Sequence, residues 1–159
     1  MYYFGGSYGG YLGFEFLQRC PGVFKKYCII NPVVNWLNQM YHSDIPDWYK
    51  ATAFKSDYDA FDIGEDYSFE EIKKMIDCSP GLREFDVDKL SGSKVLMFIG
   101  DSDKRVPPNA SYYLYQKLRK IGVDVELRVY PGEGHAINNE LKHMFDMRLT
   151  TLQEFLSEN

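Results

Sequence analysis

A glycine-flanked serine near the start of the chain, Gly5-Gly6-Ser7-Tyr8-Gly9, is the strongest constraint on what this sequence can fold into. The G-x-S-x-G motif follows an apolar run at 1–4, which is typical of the end of a buried strand, and precedes a helix-like pattern that ends at Pro21-Gly22. This context is typical of a sharp turn between a strand and a helix, which holds the serine in a strained conformation. Glycines suit such a turn because they lack a Cβ and let the strand and the helix approach closely. The amide groups at the start of the helix would then surround the serine Oγ.

Apolar runs and turn residues predict that strands and helices alternate after this motif. The strand-like runs are short and apolar, or they alternate apolar with polar residues. The first strand-like run after the serine motif ends at Pro32, and its apolar residues indicate a central parallel strand. The predicted strands cover 27–30, 94–100 and 123–130, and the predicted helices cover 11–20, 107–121 and 141–156.

The stretch 33–90 interrupts this alternation with an irregular pattern of short helices and loops. One helix within it is predicted by a capping box at Ser68-Phe-Glu-Glu71. The resulting order is strand, helix, strand, insertion, strand, helix, strand, helix. This order predicts an α/β architecture with a parallel sheet, formed by a single domain over residues 1–159.

A serine hydroxyl becomes a nucleophile when a base accepts its proton and an acid orients that base. Two loops supply such groups, each directly after a predicted strand. The strand ending at Gly100 is followed by Asp101-Ser-Asp103, and the strand ending at Tyr130 is followed by Pro-Gly-Glu-Gly-His135. Serine, acid and histidine therefore follow one another in the order typical of α/β-hydrolases. They also lie at the end of the sheet where open α/β folds keep their sites.

The sequence leaves open which acid faces the histidine. Asp101 and Asp103 lie in the same loop, and either carboxylate could instead cap the backbone of the turn. The other two histidines are weaker candidates, because His42 lies in the irregular stretch and His143 lies inside the last predicted helix. We expect these two imidazoles to have surface or packing roles.

Composition limits the partners that this chain can have. Its 159 residues carry 18 Lys and Arg against 23 Asp and Glu, a net charge of −5, which argues against nucleic-acid binding. No apolar run is long enough to span a membrane. Three scattered cysteines and the lack of a signal sequence favour a reducing, cytoplasmic location. No metal is expected, because no His or Cys completes a ligand set with Asp44 and Asp47.

Three loop motifs resemble those of the prolyl oligopeptidase family of serine peptidases. They are Gly-Gly-Ser7-Tyr-Gly-Gly, Gly100-Asp-Ser-Asp103-Lys-Arg105-Val-Pro and Gly-Glu-Gly-His135. Within that family, Asn31-Pro-Val-Val-Asn35 followed by Asp44-Ile-Pro-Asp-Trp48 is most similar to the acylaminoacyl-peptidase branch. The resemblance covers essentially the whole chain and implies the C-terminal half of an α/β-hydrolase fold.

This resemblance implies a role for each residue of a catalytic triad. Ser7 would attack the substrate carbonyl, and His135 would accept the serine proton and pass it to the leaving amine. Asp103 would fix the tautomer of the imidazole, with Asp101 in a supporting position. The backbone N–H of Tyr8 would contribute to the oxyanion hole.

The resemblance also suggests which residues bind substrate. Arg105 resembles the family arginine that holds a backbone carbonyl of the substrate, a task that suits a permanently charged group with several donors. It could instead form an ion pair with Asp101 or Asp103. Val33 and Val106 could line the pocket for the residue before the scissile bond, or they could belong to the core.

The implied activity is hydrolysis of blocked peptides, which releases an N-acylated amino acid and needs no cofactor. Two alternatives remain at this point. A carboxylesterase-like hydrolase would use the same triad on esters, and a truncated, non-catalytic module would serve in assembly. An intact set of triad residues argues against the second alternative, since a scaffold has no use for it.

Members of the family also have segments before the serine motif that have no counterpart ahead of Ser7 in this sequence. Family members place several strands and a β-propeller before the serine motif, and an HGGG-type loop supplies a second oxyanion donor. We therefore expect half a sheet with an exposed edge strand, and either a homo-oligomer or dependence on a missing N-terminal part. Weak or absent peptidase activity is expected from the chain alone, because one oxyanion donor is worth about 10²–10³-fold in rate.

Overall fold

In the part of the chain that the structure describes, four parallel strands form the centre and lie side by side in chain order. They are β1 (Tyr2–Gly6), β2 (Lys26–Ile30), β3 (Lys94–Gly100) and β4 (Asp124–Tyr130). Gly6, Ile30 and Phe98 lie in register across the first three strands. Because all the strands run in the same direction, the loops that follow them meet at one end of the sheet.

The computed structural model describes residues 1–54, 67–90 and 92–157. Its helices are α1 (Tyr8–Arg19), α2 (Trp36–His42), α3 (Pro46–Phe54), α4 (Phe69–Cys78), α5 (Val87–Leu90), α6 (Asn109–Lys120) and α7 (Leu141–Leu156). In the described part of the segment between β2 and β3, the helices are α2 to α5, and all are short. The predicted capping box opens α4, with Ser68 N donating to Glu71 Oε2 at 2.8 Å. None of the described helices is long and apolar enough to cross a membrane.

Helices cover both faces of the sheet, which confirms the predicted α/β architecture. Successive strand residues point to opposite faces, so each strand contributes to two apolar layers. The layer under α1 and α6 contains Tyr27, Ile29, Val95, Met97 and Ile99 from the strands. The layer under α7 contains Cys28, Leu96 and Phe98. Each of these strand side chains is at most 1% exposed.

The first strand is less buried than its apolar sequence predicts. Within the described chain, β1 is an edge strand whose partner is β2. Phe4 is 55% exposed and Tyr2 is 40% exposed. An edge strand has a neighbour on one side, so its side chains are covered less completely than those of a central strand.

The last helix forms where it was predicted, but its apolar stripe points away from the sheet. The stripe consists of Leu141, Phe145, Leu149, Leu152 and Leu156, each more than half exposed. The residues that α7 buries are instead Met147, Thr150 and Thr151. Helical periodicity identifies an apolar face, but it does not show which face meets the sheet. The same holds for α1, where Phe14 and Leu17 are buried while Leu12 and Phe16 are each 39% exposed.

Candidate active site

Ser7 stands at the junction of β1 and α1 in a backbone conformation that few serines adopt. Its φ is +57°, in the left-handed region that costs free energy for a residue with a Cβ. Two backbone hydrogen bonds, one to the last residue of β2 and one to the chain after it, hold it there: Ser7 N donates to Ile30 O at 2.9 Å, and Val33 N donates to Ser7 O at 3.2 Å. The Ser7 side chain makes no capping hydrogen bond to α1. Its hydroxyl is therefore not committed to the helix that it precedes.

Glycines allow the close packing of this turn, though not at every position that the motif predicts. A Cβ on Gly5 would lie 2.8 Å from Gly9 O, and a Cβ on Gly10 would lie 2.7 Å from Pro32 Cβ. A Cβ on Gly9 would meet nothing within 4 Å. The close approach of strand and helix therefore requires Gly5 and Gly10, whereas the second glycine of the G-x-S-x-G motif is sterically free.

Asp103 and His135 are brought together by the loops after β3 and β4. Asp103 Oδ2 lies 2.7 Å from His135 Nδ1. The Asp103 side chain is fully buried, and its other oxygen accepts from the backbone N–H groups of Arg105 and Val106 at 2.8 and 3.0 Å. These three contacts fix the carboxylate, while the His135 side chain remains 30% exposed. A buried anion on Nδ1 leaves Nε2 as the nitrogen that can exchange a proton with a hydroxyl.

Asp101 has the other role that the sequence left open for an acid of this loop. Its Oδ1 accepts from Gly132 N at 2.7 Å and from the Ser102 hydroxyl at 2.9 Å. Asp101 therefore fastens the acid loop to the histidine loop through the backbone. The geometry thus assigns the histidine-facing position to Asp103.

The histidine loop is held against the end of β3 by contacts that need a glycine. Ser102 N donates to Glu133 O at 2.9 Å. A Cβ on Gly100 would lie 2.5 Å from Gly134 O and 2.6 Å from Glu133 O. Both obstacles are backbone atoms, so the distance between the two loops depends on Gly100 having no side chain.

Two further polar residues, which the sequence did not single out as parts of the site, support the histidine loop. Asn31, directly after β2, donates from Nδ2 to His135 O at 2.8 Å. Glu133 is fully buried and accepts from Asn139 N, Glu140 N and His143 Nδ1 at 2.8–2.9 Å. Burial alone would raise the pKa of the Glu133 carboxyl, but these donors hold that pKa below its usual value.

The two rival histidines lie outside this site. His143, on α7, pairs with Glu133, and the His143 side chain is 14% exposed. His42 is exposed on α2, where its Nδ1 lies 3.0 Å from Asn38 O. Sequence position indicated these packing and surface roles, but the buried acid partner of His143 was not predicted.

Arg105 pairs with Asp44, and not with either acid of its own loop as the sequence suggested. Nε lies 2.8 Å from Asp44 Oδ1 and Nη2 lies 3.3 Å from Oδ2. Hydrogen bonding to that carboxylate raises the pKa of the guanidinium and keeps it charged. The backbone carbonyl of Arg105 accepts from the hydroxyls of Ser43 and Tyr49. Because the Arg105 side chain is 45% exposed, the guanidinium keeps N–H groups that are open to solvent.

Val33 and Val106 are placed in the core, and not on an open pocket wall. Val33 is fully buried and Val106 is 1% exposed. Both belong to an apolar cluster formed with α2, α3 and α4, whose other buried members are Trp36, Met40, Tyr49 and Met75. This cluster lies directly behind the site, because its two valines donate backbone N–H groups to Ser7 O and to Asp103 Oδ1.

Exposed apolar surface next to Ser7 comes from aromatic rings. Tyr8 is 38% exposed. Its ring centroid lies 5.3 Å from that of Tyr11, 6.2 Å from that of Trp36 and 5.8 Å from that of Trp48.

Among the described side chains, no group of three or more His, Cys, Asp or Glu residues is placed to hold a metal ion.

Curated proteins from a mammal and a plant are similar to this chain in sequence. The acylamino-acid-releasing enzyme of Mus musculus is 30% identical over 136 residues, and that of Arabidopsis thaliana is 29% identical over 138 residues. Each match covers 84% of this chain and 17% of the relative, so the chain spans about a sixth of the length of these curated relatives.

Solved structures show the same fold. The acylaminoacyl peptidase of Pyrococcus horikoshii superimposes with a TM-score of 0.70 at 21% identity, over 97% of this chain and 23% of that one. The model of the prolyl oligopeptidase family matches residues 1–159, the full length of the sequence. The family match over the entire sequence agrees with the strained serine turn and with the buried carboxylate that contacts a histidine. This chain belongs to the prolyl oligopeptidase family of serine peptidases.

Proposed function

We propose that Ser7, His135 and Asp103 form a catalytic triad that hydrolyses peptides with a blocked N-terminus. The observation that carries this proposal is the 2.7 Å contact between the buried Asp103 carboxylate and His135 Nδ1. It lies at the same end of the sheet as the strained Ser7. An apolar side chain would pack at this position at least as well as a buried carboxylate does. A chemical role therefore explains the carboxylate better.

The proposed reaction proceeds by acylation and deacylation of the serine. The Ser7 Oγ attacks the scissile carbonyl carbon while its proton passes to His135 Nε2. The tetrahedral oxyanion accepts a hydrogen bond from the Tyr8 N–H, one of the unpaired amides at the start of α1. Collapse breaks the C–N bond as the imidazolium returns the proton to the leaving amine. Water then attacks the acyl carbon while its proton passes to His135. Collapse breaks the bond from that carbon to Ser7 Oγ, the imidazolium returns the proton to the serine, and the acyl product leaves.

The substrate class rests on similarity to the relatives together with two features of the site. The curated relatives are named acylamino-acid-releasing enzymes, which supports an N-acylated amino acid as the product here. The Arg105 guanidinium is charged, half-exposed and two residues from Asp103, a position from which it could hold a substrate carbonyl. The exposed ring of Tyr8 offers an apolar surface to the acyl group or to the first side chain.

A comparison of two substrates tests the proposed function. Both an acetyl-alanyl anilide and a p-nitrophenyl ester of a simple fatty acid should be cleaved, with the same ratio of rates at several enzyme concentrations, although the ester has the better leaving group. Turnover by the chain alone should be low, because its sequence has no HGGG-type segment and one oxyanion donor is worth about 10²–10³-fold. Cleavage of the ester alone would favour the carboxylesterase alternative. A folded chain that cleaves neither substrate would favour a non-catalytic role.

We further propose that the edge of β1 is covered in the active protein, either by more chain of the same protein or by a second copy. Support comes from the exposure of Phe4 at that edge and of the apolar stripe on α7. Sedimentation equilibrium should show a concentration-dependent dimer if a second copy covers the edge, and Phe4→Lys should weaken it. A strict monomer at all concentrations would exclude the second copy.

A cytoplasmic location remains a prediction. It is supported by the three cysteines, which are all unpaired: Cys28 is buried, Cys78 is half-buried and Cys20 is exposed. An exposed free thiol persists best in a reducing compartment.

A further inference from the structure

Asn31 occupies a central position between the loops that carry the proposed triad. It follows β2 directly and is 1% exposed. Its Nδ2 donates to His135 O at 2.8 Å and contacts Gly134 O at 3.4 Å, while its Oδ1 accepts from Gly100 N at 2.9 Å. Both ends of one amide group are therefore used, one on the histidine loop and one on the last residue of β3, where the acid loop begins.

The backbone around Asn31 also holds the serine. Ile30 O, one residue earlier, accepts from Ser7 N, and Val33 N, two residues later, donates to Ser7 O. Asn31 N itself donates to Phe98 O at 2.9 Å, which anchors the segment to β3. The four residues from 30 to 33 thus contact Ser7 through the backbone and His135 through a side chain.

Asparagine is well suited to this position on two counts. Its φ is +41°, a left-handed conformation that Asn adopts more readily than most residues with a Cβ. Its amide offers both a donor and an acceptor, which an aspartate or an apolar residue cannot do. Loss of the amide would leave Gly100 N without this partner at a buried position and would remove the hydrogen bond to His135 O.

We propose that Asn31 is a positioning residue that sets the placement of His135 relative to Ser7. It acts through the carbonyl of His135 and not through contact with substrate. The proposal rests on the proposed function, because it assigns Asn31 a task only if Ser7 and His135 react together. A displacement of about 1 Å between reacting groups can lower the rate about 100-fold, so a single amide at this point has a large effect.

Two variants separate the role of the amide from that of the backbone. Asn31→Gly keeps the positive φ at no steric cost and removes both hydrogen bonds. Asn31→Asp is isosteric, can still accept from Gly100 N and loses the donation to His135 O. Asn139→Gly is the matched control, because Asn139 also donates from its side chain to this loop, at Gly132 O, but is exposed and lies outside the contacts between the loops.

The first readout is the rate at which a fluorophosphonate phosphonylates Ser7, with loss of fluoride, measured over a range of probe concentrations. We expect Asn31→Gly and Asn31→Asp to lower the maximal phosphonylation rate about 10- to 100-fold with little change in the probe concentration at half-maximal rate. Asn139→Gly should react as the unaltered chain does. Equal rates for all four proteins would overturn the proposal.

The second readout does not depend on catalysis and distinguishes failure of this inference from failure of the proposed function. In protein labelled with ¹⁵N-histidine, three imidazoles contribute signals, from His42, His135 and His143. Asn31→Gly should shift the His135 ring resonances and leave those of His42 in place. If Asn31→Gly does not fold, Asn31→Asp is read in the same way. Unshifted His135 resonances in a folded variant would overturn the positioning role even if Ser7 proves to be the nucleophile.

Discussion

Replacement of Asp103 by asparagine should abolish phosphonylation of Ser7 by a fluorophosphonate in an incubation that is long enough to label the unaltered chain. The expected decrease in rate is about 10⁴-fold, the cost of losing the carboxylate that selects the histidine tautomer. The asparagine amide can still accept from the backbone N–H groups of Arg105 and Val106, so the fold should survive. Intact-mass spectrometry at timed intervals measures the labelled fraction.

Asp101→Asn is the matched control for this prediction. The two acids are two residues apart in one loop, but the Asp101 carboxylate accepts from Gly132 N and the Ser102 hydroxyl, contacts that an amide oxygen can also make. We expect Asp101→Asn to keep most of the reactivity. If Asp101→Asn lost the labelling and Asp103→Asn kept it, the assignment of the two acids would be reversed.

The second large effect is expected from Gly100→Ala and concerns stability. A methyl group at this position would lie 2.5 Å from Gly134 O and 2.6 Å from Glu133 O, and neither backbone atom can rotate away. The histidine loop must therefore move, and Gly100 N must draw away from Asn31 Oδ1. We expect the free energy of unfolding to fall by about 3 kcal/mol, the upper part of the usual range for overpacking. Urea denaturation followed by circular dichroism measures this change.

Gly134→Ala provides the control for that experiment. Gly134 lies in the same loop, next to the histidine, but a Cβ there would meet nothing within 4 Å. Its free energy of unfolding should stay within about 0.5 kcal/mol of the unaltered value. Equal losses in the two variants would show that the loop tolerates no side chain at all and would contradict the packing argument for Gly100.

The order of the strands and the loops of the site could be predicted because their signals are local. Apolar runs of strand length end at glycine or proline, and parallel strands bring the loops after them to one end of the sheet. The serine motif, the acid loop and the histidine loop follow from this rule without any knowledge of distances. The capping box of α4 is equally local, since Ser68 and Glu71 are three residues apart.

The partners of individual side chains could not be predicted, because they join distant parts of the chain. Arg105 lies 61 residues from Asp44, and Asn31 lies 104 residues from His135. No periodicity links such pairs, so the sequence suggested the nearer acids Asp101 and Asp103 for Arg105 and no site role for Asn31. The order of the motifs alone likewise left the choice between Asp101 and Asp103 open, and only the resemblance to the family favoured Asp103.

The sequence pattern also did not predict which apolar side chains are exposed at the surface. Periodicity identified an apolar stripe on α7 from Leu141 to Leu156, but the sheet meets a different face of that helix. The short apolar strand β1 reads as buried, yet its position at the edge of the described sheet leaves Phe4 55% exposed. In both cases the exposure of a side chain depends on the neighbouring strands and helices, which the residues of the element itself do not encode.

The most direct measurement of the central claim is the identification of the residue that a fluorophosphonate modifies. The folded chain is incubated with the probe, digested and mapped by tandem mass spectrometry. The account predicts a slowly formed adduct on Ser7, which is absent from Ser7→Ala and from His135→Gln. An adduct on any other residue, or labelling that persists in Ser7→Ala, would contradict it.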